Sequence, residues 1–386
     1  MPNPDMIYLD NAATSFPKPK TVVWAVEKAL REGCGNPTRS SHRLALSAGR
    51  VIDETRILCA RLFNAPSPNH IIFTNNATTA LNIAIKGVVL SGDHILTSSL
   101  EHNSVVRPVK YLETNGVQVT KIPTCLQNGL TLPQIEKAIQ KNTKLLVCTH
   151  VSNVTGTVND ITTIGNFCRE KGIIFLVDAA QSAGMRPIDI QEMNIDLLAF
   201  PGHKGLLGPQ GTGGLIINPG LELDTLIQGG TGSMSESLEQ PHLLPERFES
   251  GTPNVPGLAG LAAGIQYILD TGLTTIADGE KKLIHQLIRG LSELQRVHLI
   301  GPDLTADRGN VVSVTLDNIT VADAALMMDA GFNIAVRSGL HCSVDAHHTT
   351  GTLSSGGTLR ISPGHFNCEQ DIEQCLTALS ICAKGL

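Results

Sequence analysis

The sequence predicts an α/β fold: a large domain built on a mainly parallel seven-stranded sheet, and a smaller α+β C-terminal domain. Three observations carry that reading. Between residues 70 and 218, short runs rich in Ile, Val and Leu alternate with amphipathic stretches, the pattern of strands joined by crossover helices. Residues 219–258 then turn polar and loop-rich, and the remainder mixes strand and helix signals. Finally, 386 residues exceed what one core ordinarily supports, so two domains are expected.

Each element has its own signal. Lys20–Arg31 places Val22, Val26, Ala29 and Leu30 on one helical face and is expected to stop at Gly33. Ser47–Phe63 repeats the pattern with Val51, Ile52, Leu58 and Leu62. The strand runs are His70–Phe73, His94–Thr97, Val117–Ile122, Lys144–Thr149, Ile173–Val177, Asp196–Phe200 and Gly213–Asn218. Helices are expected between them at Ala77–Leu90, Leu132–Gln140 and Asp160–Lys171. One long helical region is predicted over Gly257–Leu294, with later strands at Val311–Leu316 and Ile334–Val336 and a closing helix after Asn367. Ser343–Thr358 reads as one long polar loop, a length that in a compact domain is functional or mobile.

Composition removes several function classes. A formal net charge of −6 with no basic run argues against nucleic acid or an anionic membrane as partner. No apolar stretch approaches the ~20 residues that a bilayer demands. The opening Met1-Pro2-Asn3-Pro4-Asp5 lacks the basic and apolar regions of a signal peptide, so a cytoplasmic location is expected. Nine cysteines without a CxxC pair fit free thiols rather than a disulfide framework. Cys368, Cys375 and Cys382 recur at helical spacing with Ile372, Leu376 and Leu379, so they read as the apolar stripe of a terminal helix. His347 and His348 invite a zinc reading with His341 and Cys342, but metal-site spacing is missing and no metal is expected.

The chemistry-bearing residues are few. Lys204 follows an apolar run and stands in Pro201-Gly202-His203-Lys204-Gly205; a lysine amine can form an imine with an aldehyde cofactor. Asp178 closes the run Ile173–Val177, where a carboxylate is costly unless paired. It reads either as the partner of a pyridine nitrogen or as the N-cap of a helix beginning at Ala179. Thr74-Asn75-Asn76-Ala77-Thr78-Thr79 joins a strand to a helix start, where free N–H groups and a hydroxyl can bind phosphate or simply cap the helix. His102 could lie flat on a planar cofactor or serve as an ordinary loop residue. Arg337 and Arg360 flank the Cys342 loop; a guanidinium fork grips a carboxylate. A thiol held near arginine and histidine would be a reactive nucleophile; the other reading of Cys342, an inert buried cysteine, is disfavoured by the polar sequence around it.

Taken in order, these pieces resemble the cysteine desulfurases and selenocysteine lyases of the class V aminotransferases. The resemblance starts with Tyr8-Leu9-Asp10-Asn11-Ala12-Ala13-Thr14 and runs through Glu101-His102-Asn103, His150-Val151-Ser152-Asn153 and Val177-Asp178-Ala179-Ala180-Gln181. It continues with Gly202-His203-Lys204 and Gly251-Thr252-Pro253-Asn254, and ends with Arg337-Ser338-Gly339-Leu340-His341-Cys342 and Arg360. The resemblance implies a fold-type-I enzyme dependent on pyridoxal 5'-phosphate (PLP), and a homodimer with active sites at the subunit interface. Residues 18–258 would form the large PLP-binding domain, and residues 1–17 with 259–386 the small domain carrying the cysteine loop.

Residue by residue, the resemblance implies that Lys204 holds the cofactor, Asp178 pairs with the ring nitrogen and Gln181 with the ring oxygen. His102 would stack on the ring and act in catalysis. Ala77, Thr78 and His203 would meet the phosphate, with Thr252 reaching that of the neighbouring subunit. Asn153, Arg360 and Arg337 would hold the substrate carboxylate. Pro201 and Ala77 stand where relatives often carry hydroxyls. Losing such a bond to a charged group costs roughly 1.5–3 kcal/mol, so cofactor affinity is expected to be lower unless Thr231 or Thr252 compensates. The expected activity is conversion of L-cysteine to L-alanine with a persulfide on Cys342, which a sulfur-acceptor protein or a reductant then discharges. Action on L-selenocysteine or cysteine sulfinate, or another class V reaction with Cys342 incidental, is the alternative.

Overall fold

The computed structural model describes residues 6–32, 35–37 and 42–384. The chain opens with β1 (Ile7–Tyr8), α1 (Lys20–Glu32) and α2 (Arg43–Phe63). Strands and helices then alternate: β2 (Ile71–Thr74), α3 (Ala77–Val88), β3 (His94–Ser98), α4 (Asn103–Glu113), β4 (Gln118–Ile122) and α5 (Leu132–Ala138). There follow β5 (Thr143–Thr149), α6 (Ile161–Lys171), β6 (Ile174–Asp178), β7 (Leu197–Pro201) and β8 (Gly213–Ile217). After a polar connection come α7 (Val255–Thr271), α8 (Leu273–Glu293), β9 (Val297–Ile300), β10 (Val312–Leu316) and α9 (Val321–Phe332). The chain closes with β11 (Ile334–Ala335), β12 (Arg337–Gly339), α10 (Val344–Thr350), β13 (Thr358–Ile361) and α11 (Glu369–Lys384).

The seven predicted runs form one seven-stranded sheet in the order β2-β8-β7-β6-β5-β3-β4. All neighbours are parallel except those of β8, which runs antiparallel between β2 and β7. Strands β3, β7 and β8 are buried at every residue, as expected where helices cover both faces. On one face, Ile52, Phe63, Ile164, Phe167 and Leu261 from α2, α6 and α7 pack with Phe175 and Phe200. On the other, Leu81, Ile85, Val105 and Val109 from α3 and α4 pack with Ile95, Leu176 and Leu215. A second, four-stranded antiparallel sheet has the order β12-β13-β10-β9. Its core gathers Leu287 and Ile288 from α8, Met328 from α9, and Cys375, Leu379 and Cys382 from α11. Ile7 and Leu9 join that core from the other end of the chain.

The structure corrects several sequence expectations. The region Gly257–Leu294 is two helices, α7 and α8, interrupted at Gly272, whose φ of +88° is a glycine conformation. A domain boundary at residue 258 therefore falls inside α7. Helix α4 went unread because Pro108 interrupts its pattern. The Ser343–Thr358 stretch is not one open loop, because α10 forms within it. Ala346 packs there with Leu100 and Val154, and Lys121 pairs with Asp345 at 2.6 Å. Cys368 is exposed and precedes α11, so only Cys375 and Cys382 line that helix's buried stripe. The expected stop at Gly33 lies outside the described residues. No described helix is long and apolar enough to cross a membrane.

Parallel strands bring their carboxyl ends to one edge, the usual place for a ligand in such sheets. Here that edge gathers the segments after β2, β3, β5, β6 and β7. The turn after β6 and the loop after β7 pack backbone to backbone. A Cβ on Gly184, at φ +79°, would lie 2.3 Å from the Gly205 carbonyl oxygen. Gly184→Ala is therefore expected to lower the unfolding free energy by about 1–3 kcal/mol in urea titration, through displacement of the loop that carries Lys204.

Candidate active site

A cavity of about 230 Å³ opens at this edge. Ala77, Thr78, His102, Asn153, Asp178, Gln181, His203, Lys204, Arg337, Cys342 and Arg360 all line it, coming from both sheets. Of the expected site residues only Thr252 lies elsewhere. It is exposed and, with Thr231, lines a separate cavity of about 530 Å³. Neither hydroxyl therefore compensates for Pro201 or Ala77 within the Lys204 cavity of its own chain.

Lys204 is partly buried, and its Nζ has no hydrogen-bond partner among the described residues. Burial pulls its pKa down to about 8; Asp178 opposes the shift, while Arg360 and Arg337 reinforce it. The amine is thus available as a nucleophile near neutrality. Asp178 is buried at the end of β6, and burial raises its pKa against the Ala180 N–H and Lys204, which lower it. Its Oδ1 accepts from the Ala180 N–H at 2.9 Å. The residues after it form turns rather than a helix, which removes the N-cap reading. Gln181 donates from Nε2 to the Ala12 carbonyl at 3.0 Å.

His102 caps α4. The Ser104 N–H donates to its Nδ1 at 3.1 Å, so Nδ1 is an acceptor and the neutral ring carries its proton on Nε2. Burial, then the charges of Lys204 and Arg360, lower its pKa to about 4. Ser104 Oγ also lies 2.9 Å from that nitrogen and 2.7 Å from Thr78 Oγ1. This hydroxyl links the α3 terminus to the histidine. On α3, Asn76 Oδ1 accepts from the Thr79 N–H at 2.9 Å, while the N–H groups of Ala77 and Thr78 have no intrahelical acceptor. Those groups face an anion's natural position.

Arg337 and Arg360 stand directly opposite each other across β12 and β13. Like charges so placed repel, and Asp10 offsets this by accepting from Arg360 Nη2 at 2.8 Å. Arg360 is fully buried, and its Nη1 donates to the Asn153 carbonyl at 3.2 Å. The Asn153 side chain turns to the cysteine loop: Nδ2 donates to the His341 carbonyl and Oδ1 accepts from Ser343 Oγ, both at 2.7 Å. His341 and Cys342 sit consecutively at φ +48° and +58°, a conformation costing non-glycine residues about 1–2 kcal/mol each. Cys342 is exposed, whereas His341 and Ser343 on either side are buried.

The Lys204 loop is fixed from behind. The His203 carbonyl accepts from Lys18 Nζ at 2.8 Å, the Ser15 N–H at 3.0 Å and Thr14 Oγ1 at 3.1 Å. Ser15 Oγ donates to the Lys204 carbonyl at 2.9 Å. Sequence reasoning missed Asp10, Ser15, Lys18 and Ser104 as site residues. Asp10 stands within a motif that carries the resemblance, and Ser104 directly follows another, but short polar side chains give no sign of their partners.

The donor set tests a bound PLP. Arg360, His203 and His341 line this cavity, and their buried Nε, Nδ1 and Nδ1 atoms lack partners among the described residues. A lysine amine, a buried carboxylate, a neutral histidine and a free helix terminus complete the set, and the group fits. Together the fold and this arrangement define a fold-type-I, PLP-dependent enzyme. The chain belongs to the aminotransferase class-V family, whose model matches residues 7–375, and within it to the cysteine desulfurases.

The relatives support this throughout. A probable cysteine desulfurase of Pyrococcus abyssi is 36% identical, over 99% of this chain and 95% of its own length. One from Methanothermobacter thermautotrophicus is 35% identical over 96% and 92%. The solved cysteine desulfurase of Thermococcus onnurineus NA1 superposes with a TM-score of 0.93 at 36% identity, covering 99% of this chain and 96% of that one.

Beneath the cavity Glu101 is fully buried. Its Oε1 accepts from Ser98 Oγ and from the Thr149 N–H, and its Oε2 has no partner among the described residues. Burial raises its pKa to about 8, and Asp178 adds to the rise. A raised carboxyl pKa means that the folded state holds a proton that the unfolded state has already lost. Stability from this group is complete below the unfolded value and fades as pH rises through about 8. Glu101→Gln is therefore expected to gain stability relative to the parent between pH 5 and pH 8, read as diverging urea midpoints.

Proposed function

We propose that the protein is a cysteine desulfurase that moves the sulfur of L-cysteine onto Cys342 and releases L-alanine. One observation carries this: an exposed cysteine and a partly buried lysine of lowered pKa line the same cavity, between an aspartate suited to the cofactor and an arginine pair suited to a carboxylate. Lys204, Asp178, Gln181 and His102 would hold the ring of PLP, with His203, Thr78 and the α3 terminus at its phosphate. When bound, that group supplies an electron sink for the substrate's α-carbon.

The chain's own residues do the rest. Arg360, backed by Asp10, and Arg337 take the substrate carboxylate, which relieves the repulsion between the two guanidinium groups. Asn153 has one N–H left over from the cysteine loop for the same carboxylate. Lys204 removes the α-proton at Nζ and returns it. The Cys342 sulfur attacks the substrate sulfur, so an S–S bond forms as the Cβ–S bond breaks. The electron pair of that broken bond stays on Cβ and takes up the proton that the Cys342 thiol gives up, giving alanine and a Cys342 persulfide.

The finer reading extends to partners. A homodimer is supported by Thr252, which is exposed and outside its own chain's cavity, where a neighbouring subunit can be reached. The exposure of Cys342 suits hand-over of the sulfur to an acceptor protein. A cytoplasmic location accords with free thiols. The domain division that fits the cores keeps α7 with the large sheet and starts the small domain near Gly272.

Two variants test the proposal. Cys342→Ala is expected to lower alanine formation from L-cysteine by at least about 100-fold while cofactor binding persists; undiminished turnover would refute the persulfide step. Lys204→Ala is expected to lose the visible absorbance of lysine-bound cofactor after saturation with PLP and removal of the excess. A band that survives would show that another group anchors it.

A further inference from the structure

We propose that Ser343 is a positioning residue for Cys342, acting with Asn153 as a catch that holds the thiol in the cavity. The inference rests on the reading of Cys342 as the sulfur acceptor and adds the means by which the chain aims it. Ser343 occupies the N-cap of α10, where a serine ordinarily accepts from the helix's first backbone N–H groups. Here it makes no such capping bond. Its hydroxyl, fully buried, instead donates to Asn153 Oδ1 at 2.7 Å.

The other end of the same amide donates to the His341 carbonyl at 2.7 Å. One side chain thus grips the residues immediately before and after Cys342. Two further bonds hold the segment. The Cys342 carbonyl accepts from the Asn103 N–H at 2.7 Å, and His341 Nε2 lies 3.1 Å from the Thr358 carbonyl and hydroxyl oxygens. Successive left-handed non-glycine residues persist only where the surroundings over-determine them. The catch supplies that constraint, leaving the Cys342 side chain as the exposed part of an otherwise buried triplet. Asn153 also accepts from Arg360 through its carbonyl at 3.2 Å, so the catch is joined to the arginine pair proposed for the substrate carboxylate.

Ser343 does not line the cavity, and without it Asn153 is still held by its bond to the His341 carbonyl, so its loss is expected to act on the aim of the thiol before the binding of substrate. For the holoenzyme carrying Ser343→Ala, kcat for alanine formation is expected to fall by about five- to tenfold, the scale of one buried hydrogen bond, with KM and cofactor absorbance unchanged. Ser343→Thr, which keeps the hydroxyl, should restore most of kcat. A bulky maleimide should label Cys342 severalfold faster in Ser343→Ala than in the parent, measured by mass spectrometry of the peptide that contains it. Parental kcat with parental labelling overturns the proposal, as does a fall in kcat that threonine does not restore. The labelling comparison needs no turnover. It therefore decides the catch even if Cys342→Ala were to remain active and the persulfide reading were to fail.

Discussion

The ion pair between the buried Arg360 and the half-buried Asp10 is the constraint on which the rest of the site depends. Arg360 is 2% exposed, on a strand in the core of the smaller sheet. A guanidinium there is tolerable only when paired and hydrogen-bonded, and removing one partner of such a pair typically costs about 3–5 kcal/mol. Asp10 supplies the charge from the opposite end of the chain, 350 residues away in sequence. The pairing joins the N-terminal segment to the cavity, alongside the pairing of β1 with β11.

Segment 8–18 then works as a strap. At one end Asp10 holds Arg360, and the Asn11 and Ala12 N–H groups donate to Ser362. In the middle, the Ala12 carbonyl takes the Gln181 amide. At the far end Thr14, Ser15 and Lys18 fix the carbonyls of the Lys204 loop. The carboxylate-binding, ring-binding and lysine-bearing parts of the site are therefore tied to one stretch of backbone. The cost is a row of polar groups withdrawn from water, met by hydrogen bonds at nearly every residue. The same economy governs the titratable groups: burial lowers the pKa values of Lys204, His102 and His203 and raises those of Asp178 and Glu101. Opposed shifts at and beneath one cavity are a pattern that proton-transfer sites share with other buried polar networks.

Much of the fold was legible because period and composition report burial. All seven strands of the large sheet and the helices α1, α2, α3, α5 and α6 lie where apolar spacing puts them, with ends moved by a few residues. What escaped had local signals that mislead. Pro108 hides α4, Gly272 divides an otherwise continuous apolar pattern, and the polarity of Ser343–Thr358 conceals α10. In α10, stability comes from Ala346 and His347 buried against neighbouring elements, which no local propensity reports. Within the site, Lys204, Asp178, His102, Arg360 and Cys342 were singled out by residue type beside apolar runs or in a polar loop, although Asp178 and His102 also had ordinary readings. Asp10, Ser104 and Ser343 did not, since a short polar side chain is unremarkable until its partner is known.

The sequence by itself determined the family, the parallel sheet and the residue types that its chemistry requires, because periodicity and motif order are local or additive properties. Only the tertiary structure decided which of those residues meet. It set Arg337 against Arg360 by strand register, removed the capping role of Asp178, and placed Thr252 and Thr231 outside the Lys204 cavity. It also turned Asn153 toward the cysteine loop as well as the cavity. The physical reason is that a buried polar group is defined by its partner, and here partners such as Leu9 and Ser362 lie 353 residues apart in the chain.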